Sequence, residues 1–367
     1  MKEVKVNLGS RSYTISIGTG LLDQLADLAR SAGLTGRVAL VTDSNVLPLY
    51  GEKAQQLLSD AGFTVAVYEI PAGEESKSLD RVADLCRKLL LDEFDRTSGV
   101  IALGGGVVGD VAGFVAATYM RGIPYIQVPT TLLAQVDSSV GGKVGVNLPE
   151  AKNIVGNFYQ PRTVIIDPDT LRTLPEREFR AGLAEVVKYG VIADASLFDL
   201  VESRFEAILA QDHDILEKVV GTCCRIKAGV VERDETERGE RVILNYGHTI
   251  GHAIEVAGGY DRFLHGEAIA VGMNGAARIA ADLGLTDEDF VSRQVCALRS
   301  LGLPTGWSDL PVTQVFAAMK MDKKRSAGTM RFVLPCEPGR VTVREGVDEA
   351  AVTRVLETLR SEADDNE

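Results

Sequence analysis

The segment GVIALGGGVVGDVAGFVAA, residues 99–117, runs from an apolar strand through a glycine turn straight into a helix. A strand that is apolar along its whole length must be covered on both faces, and a helix that follows it at once covers one of them. The unit therefore belongs in a parallel sheet wrapped by helices. Its neighbours repeat the alternation: RVALVTDSNV carries a strand over Val38–Thr42, GFTVAVYEI one over Phe63–Ile70, and IPYIQVPTT and TVIIDPDTL two more. LLDQLADLAR and SLDRVADLCRKLLLD have the 3.6-residue apolar period of amphipathic helices between them. The N-terminal MKEVKVNLGSRSYTISIG alternates as a strand does. After Pro175 long helical patterns take over: REFRAGLAEVVKYGVI, LFDLVESRFEAILAQ, DILEKVVGTCCRIKAGVVERDE, HTIGHAIEVA and GEAIAVGMNGAARIAADLG. At 367 residues the chain is long enough for two cores. The expectation is a Rossmann-like α/β domain over residues 1–172 and an all-α domain over 173–367.

The balance of residues excludes several classes. A formal net charge of −13 argues against a nucleic-acid partner held by bulk electrostatics. It leaves room for a small anionic ligand bound by a local lysine cluster. Five cysteines without a CxxC indicate neither a disulfide framework nor a zinc finger. Val100–Met120, the most apolar stretch, is broken by glycines and Asp110 and is not a membrane span. The N-terminus has no apolar signal core. The chain reads as cytoplasmic, soluble and free of membrane or nucleic acid.

Candidate chemistry sits at strand ends and in one histidine cluster. Gly104–Gly106 ends a strand as Val107 enters a helix, so backbone N–H groups and a positive dipole end face a ligand there, which suits a pyrophosphate. Asp43 and Asn45 follow the Val38 strand, where a carboxylate meets ribose hydroxyls in a doubly wound sheet. Thr130 and Thr131 close the Gln127 strand. A glycine-rich loop region holds Asp137, Lys143, Lys152 and Asn153, a cradle for phosphate or carboxylate. Glu185 and Lys188 form a charged pair on an otherwise apolar helix. Three of the four histidines lie in NYGHTIGHAIEVAGGYDRFLHGEA: His248 and His252 share a helix face, and His265 follows the Gly258–Gly259 break. Two histidines, one carboxylate and an open position make a catalytic metal site. Spacing leaves open which two histidines ligate and whether Glu185, Glu255 or Glu267 joins them.

Together DSNV, PAGEESKSL, ALGGGVVGDVAGF, QVPTTLLAQVDSSVGGKVGVN, AKNIVGNFYQP, GLAEVVKYG, LNYGHTIGHAIE and LHGEA resemble the 3-dehydroquinate synthase family over nearly the whole chain and in the family's order. The resemblance implies an NAD-binding N-terminal domain and a helical metal- and substrate-binding domain. It implies Zn2+ or Co2+ on Glu185, His248 and His265. NAD contacts would come from Asp43, Asn45, Glu74, Glu75, Ser76, Lys77, Gly106, Val107, Val108, Gly109, Asp110, Thr130, Thr131, Lys143, Lys152, Thr170, Leu171, Arg172 and Thr173. Substrate contacts would come from Asp137, Lys143, Lys152, Asn153, Lys188, Lys227, Arg241, Asn245 and His252. Of these, His252, Lys188, Asp137 and Asn245 are implied in catalysis, and Lys323 and Lys324 in closure over the phosphate. Arg121 would reach the partner's phosphate in a homodimer. The implied reaction turns 3-deoxy-D-arabino-heptulosonate 7-phosphate into 3-dehydroquinate and phosphate. It does so by transient NAD-dependent oxidation, phosphate elimination, re-reduction, ring opening and aldol closure. A 2-deoxy-scyllo-inosose synthase, a metal- and NAD-dependent polyol dehydrogenase and a binding protein with structural zinc are the rival readings. An Arg241–Asn245 pair suited to a carboxylate argues against the first, the dense lysine cluster against the second, and a three-ligand site left open against the third.

Overall fold

The computed structural model describes residues 1–259, 261–325 and 330–364, the side chains of 322–325 and 362–364 excepted, so Lys323 and Lys324 lie outside the described side chains. Contacts divide the chain into two compact units, Met1–Pro175 with Leu216–Thr236, and Glu176–Ile215 with Glu237–Glu367.

The first unit holds strands β1 (Lys2–Val6), β2 (Tyr13–Ile17), β3 (Arg37–Asp43), β4 (Thr64–Ile70), β5 (Gly99–Gly104), β6 (Tyr125–Pro129), β7 (Lys143–Leu148), β8 (Ala151–Phe158) and β9 (Thr163–Ile166). Seven of them form one sheet in the order β1-β2-β9-β6-β5-β3-β4. Every pairing in that sheet is parallel except β1 with β2, so the N-terminal alternation resolves into an antiparallel edge pair. Helices α1 (Leu25–Ser31) and α2 (Glu52–Asp60) cover one face; α3 (Leu79–Leu91) and α4 (Gly106–Thr118) cover the other. The two-residue period of a strand divides the core between them. Val38 and Leu40 of β3 and Ile101 and Leu103 of β5 pack with the α1–α2 layer. Ala39, Val41, Val100 and Ala102 pack with α3 and α4.

The stretch read as a glycine-rich loop is instead the antiparallel β7–β8 hairpin. Gly145 stands opposite Gly156, and a Cβ on Gly156 would lie 2.3 Å from the Val144 carbonyl oxygen. These glycines allow two backbones to close on each other; they do not loosen the chain.

The second unit begins with α5 (Glu176–Ala193) and α6 (Ala195–Leu209), the latter N-capped by the Asp194 carboxylate, which accepts from Ser196 and Leu197 N–H at 3.0 and 3.1 Å. The next helix, α7 (His213–Arg233), belongs to the first unit from Leu216 onward. Val219, Val220, Cys223, Cys224, Val230 and Val231 are its buried face, and Cys224 donates to the Gln135 carbonyl at 3.3 Å. A single cut at residue 172 misses this return, because packing partner and not chain order decides where an apolar helix goes. The second unit then continues with α8 (His248–Ala257), α9 (His265–Asp282), α10 (Glu288–Ser300), α11 (Val312–Arg325), strands β10 (Arg331–Glu337) and β11 (Arg340–Glu345), and α12 (Glu349–Asp364). It is helical, with the β10–β11 hairpin added to the all-α expectation. Among the described residues no helix is long and apolar enough to cross a membrane.

Glycines set how closely α5, α8 and α9 approach. A Cβ on Gly272 would fall 1.9 Å from the Gly247 carbonyl oxygen, and one on Gly266 1.8 Å from the Ala181 carbonyl oxygen. Both neighbours are backbone, so no side chain can swing away. Replacing Gly by Ala inside a helix is worth about 1 kcal/mol of propensity, while overpacking costs about 1–3 kcal/mol. With the backbone in the way the clash wins. Gly272→Ala is therefore expected to lower stability by about 1–2 kcal/mol net, read as an earlier denaturant midpoint at unchanged slope. A later midpoint would show that α8 and α9 are not in backbone contact.

Candidate functional site

Glu185 lies on the buried face of α5 with 1% of its side chain exposed, and Lys188 one turn later forms a buried ion pair with it. From α8, His248 brings Nε2 to 3.7 Å from Glu185 Oε1; from the first residue of α9, His265 brings Nε2 to 3.7 Å from the same oxygen. The other ring nitrogens fix the tautomers. His248 Nδ1 lies 3.0 Å from the Tyr246 carbonyl oxygen, which can only accept, so Nδ1 carries the hydrogen and Nε2 presents a lone pair towards Glu185. His265 Nδ1 is 3.3 Å from Glu255 Oε2. Tyr246 is itself fixed, its hydroxyl donating to Gln294 Oε1 at 2.6 Å.

The two imidazoles that face Glu185 are driven in opposite directions. Burial holds His248 down to about 3 in spite of the Glu185 charge. Burial also opposes charge on His265, but its hydrogen bonds and charge contacts with Glu185 and Glu255 outweigh that and lift it to about 10. A lone pair aimed at a carboxylate is repulsive unless a positive centre sits between them. Ligands about 2.1 Å from a tetrahedral ion stand about 3.4 Å apart, close to the 3.7 Å found here.

Two groups could hold a metal, Glu185–His248–His265 and His252–Glu255–His265, each with ligand atoms within 4.8 Å of one another. His252 is exposed on α8, its ring centroid 5.1 Å from that of His248. Glu267, the third carboxylate left open by spacing, turns away: it accepts from Leu264 N–H at 2.8 Å. Arg241, 1% exposed, and Asn245 lie on the 3-10 turn Glu240–Asn245 that leads into α8.

In the first unit, α4 starts at Gly106 behind Gly105, whose missing side chain leaves the first-turn amides without a side-chain cap. That turn, Gly106 to Asp110, is joined to the Glu74–Ser76 turn by Lys77, whose Nζ lies 2.8 Å from Asp110 Oδ2, 3.7 Å from Glu74 Oε1 and 2.5 Å from Asn153 Oδ1. Burial pushes the Asp110 carboxyl up, against the pull of Lys77. Asn147 donates to Glu74 at 2.8 Å and accepts from Asn153 N–H at 2.7 Å, where Asn153 takes a left-handed φ of 54°. The network thus ties the hairpin carrying Lys143 and Lys152 to α4.

Asp43 ends β3 and accepts from Asn45 and Val46 N–H, each at 2.9 Å. Thr130 is buried at the end of β6, with Thr131 next to it. Gln135 donates to Thr170 Oγ1 at 3.0 Å and to the Asp167 carbonyl at 3.2 Å, holding the 3-10 turn Pro168–Thr173. Tyr50 hydroxyl and Thr173 Oγ1 meet at 2.6 Å. Lys227 of α7 pairs with Asp137 at 2.9 Å and donates to its carbonyl at 2.7 Å. Arg121 is exposed on the turn that closes α4, with a left-handed φ of 66°. Sequence reasoning did not single out Tyr246, Asn147, Gln135 or Asp167, which orient the others. The only signal for Tyr246 was its place two residues before His248, across a left-handed Gly247 with φ 80°.

Residues 67–181 match the profile of the 3-dehydroquinate synthase N-terminal region and residues 182–325 that of the C-terminal region. The chain is 52% identical over 360 residues to the 3-dehydroquinate synthase of Desulforamulus reducens, covering 97% of this chain and 99% of that one. Among solved structures it is similar to the 2-epi-5-epi-valiolone synthase ValA from Streptomyces hygroscopicus subsp. jinggangensis with NAD+ and Zn2+ bound, at TM-score 0.89 and 29% identity over 99% of this chain and 98% of that one. It is similar too to 2-deoxy-scyllo-inosose synthase complexed with carbaglucose-6-phosphate, NAD+ and Co2+, at TM-score 0.89 and 29% identity over 97% of this chain and all of that one. The profiles span residues 67–325 without a gap, the relative matches almost end to end, and the parallel-sheet and helical units agree with both: the chain belongs to the 3-dehydroquinate synthase family.

Proposed function

We propose that the chain converts 3-deoxy-D-arabino-heptulosonate 7-phosphate to 3-dehydroquinate and phosphate, using NAD and a divalent metal, Zn2+ or Co2+. The observation that carries this reading is the group Glu185–His248–His265, in which two half-buried imidazoles turn Nε2 towards one oxygen of a buried carboxylate. When bound, NAD+ supplies a reversible oxidant for one ring alcohol, and the metal a Lewis acid that eases deprotonation of that alcohol.

The chain's own residues do the rest. Glu185, His248 and His265 hold the metal; the Tyr246 carbonyl and Glu255 orient the two rings, as outer partners of metal-bound histidines do. This favours Glu255 as an orienting group over its role in the second candidate set. His252 carries a proton to or from the substrate, and Lys188, Asp137 and Asn245 complete the catalytic set. Lys143, Lys152 and Asn153 supply cations and donors to the phosphate, and Lys227 an additional cation. Arg241 and Asn245 suit a carboxylate, which favours the heptulosonate over a sugar phosphate without one, such as the carbaglucose-6-phosphate bound by the inosose synthase. The α4 N-terminus takes the NAD pyrophosphate, Asp43 a ribose, and the Thr130–Thr131 and Thr170–Thr173 turns the remaining donors. The absence of a net redox product in this scheme separates it from a polyol dehydrogenase. All five cysteines are free thiols, which fits a cytoplasmic enzyme.

Incubation with the heptulosonate phosphate, NAD+ and Zn2+ is expected to release phosphate and a carbocycle in equal amounts. Release of neither overturns the reading. His248→Ala and His265→Ala should lose stoichiometric metal and activity together, whereas His252→Ala should keep its metal and lose turnover. Full metal in His265→Ala, by elemental analysis, would sink the ligand set. Lys77→Met strands the Asp110 carboxylate and should cost about 2–3 kcal/mol, less than for a fully buried pair because Asp110 keeps some solvent. It should also weaken NAD+ binding in a fluorescence titration. Unchanged stability and NAD+ affinity would remove Lys77 from the nucleotide site.

We further propose a homodimer in which Arg121 meets the partner's phosphate, since a two-fold interface sets two copies of one patch face to face. Arg121→Ala and Lys152→Ala, each nearly inactive, should recover activity when re-dimerised together. No recovery in verified mixed dimers contradicts the shared site.

A further inference from the structure

Helix α9 begins at His265, and its N-cap, Leu264, has no side-chain oxygen with which to hold the first turn. Glu267, the third residue of α9, supplies the hold from inside by accepting from Leu264 N–H at 2.8 Å, half of a capping box. Arg177 of α5 grips the same carboxylate with one edge of its guanidinium, Nε donating to Oε1 at 2.7 Å and Nη2 to Oε2 at 2.8 Å. Its Nη2 also donates to the Arg262 carbonyl at 3.2 Å. One arginine thus binds the chain on both sides of His265 to the helix that carries Glu185. The bare Cα of Gly266 lets that segment rest on the Ala181 carbonyl, where a Cβ would be 1.8 Å away.

The Arg177 side chain is 60% exposed, and an ion pair in water adds little to global stability. What the clamp can do is fix a direction: with the start of α9 set, the imidazole presents Nε2 to Glu185 and Nδ1 to Glu255. We propose that Arg177 and Glu267 are positioning residues for the metal ligand His265, and that they act on metal affinity more than on folding. The inference rests on the metal assignment above.

The test titrates Co2+ into the metal-free full-length protein, following the visible absorption of the bound ion, with a melt of each apoprotein alongside. Glu267→Ala and Arg177→Ala should bind Co2+ about ten-fold more weakly than the parent, with melting temperatures within about 4 °C of it. Glu267→Gln, which keeps an acceptor for Leu264 N–H and loses the charge, should fall between. Should Glu267→Ala fail to fold, the exposed Arg177→Ala alone decides. Parental Co2+ affinity in Arg177→Ala, or a loss no greater than its drop in global stability, overturns the clamp. His265→Ala separates the two claims. Its loss of Co2+ beside parental affinity in the clamp variants defeats the clamp alone, and its retention of Co2+ defeats the metal assignment beneath it.

Discussion

Backbone contact between α5, α8 and α9 is the constraint from which the candidate metal group follows. His248 and His265 converge on Glu185 because α8 and α9 touch at Gly247 and Gly272 and because α9 starts against the Ala181 carbonyl of α5 at Gly266. A Cβ on Gly272 or Gly266 would fall 1.9 or 1.8 Å from a backbone oxygen, so the helices would have to part to admit it and would carry the facing imidazoles and carboxylate apart with them. The closeness also explains the electrostatics. Burial drives His248 far down, while contacts with Glu185 and Glu255 lift His265 far up. Opposed shifts within one small cluster point to a functional site.

The first unit solves a different problem with the same residue. Gly104–Gly106 end an apolar strand without a side chain in the way, and the α4 amides stay available to an anion. Lys77 then links α4, the Glu74 turn and the β7–β8 hairpin, so the groups offered to a nucleotide and to a phosphate share one buried cation. In both units the residues that would touch ligands are held by others that would not: Tyr246 and Glu255 behind the histidines, Asn147 behind Asn153, Gln135 behind Thr170.

Much of this was legible beforehand. β3, β4, β5 and β6 announce themselves as apolar runs between amphipathic helices, and Glu185 as a carboxylate in an apolar helix. Four features were not legible, each for a physical reason. The return of α7 to the first unit depends on which apolar faces meet, and its own pattern says only that it has such a face. The β7–β8 hairpin was hidden because Gly145 and Gly156 signal flexibility in one dimension and close pairing in three. The choice among Glu185, Glu255 and Glu267 turns on which ring nitrogen each faces, and spacing cannot resolve ring orientation. Nothing in the sequence marks Arg177, since only the fold brings it ninety residues along the chain to Glu267.

The central claim is that one nucleotide and one metal serve a reaction with no net oxidation, and counting turnovers tests it most directly. Enzyme loaded with a single equivalent of NAD+ and supplied with excess heptulosonate phosphate should form many equivalents of carbocycle while absorbance of reduced nucleotide stays flat. One reduced nucleotide accumulating for each product formed would contradict the account.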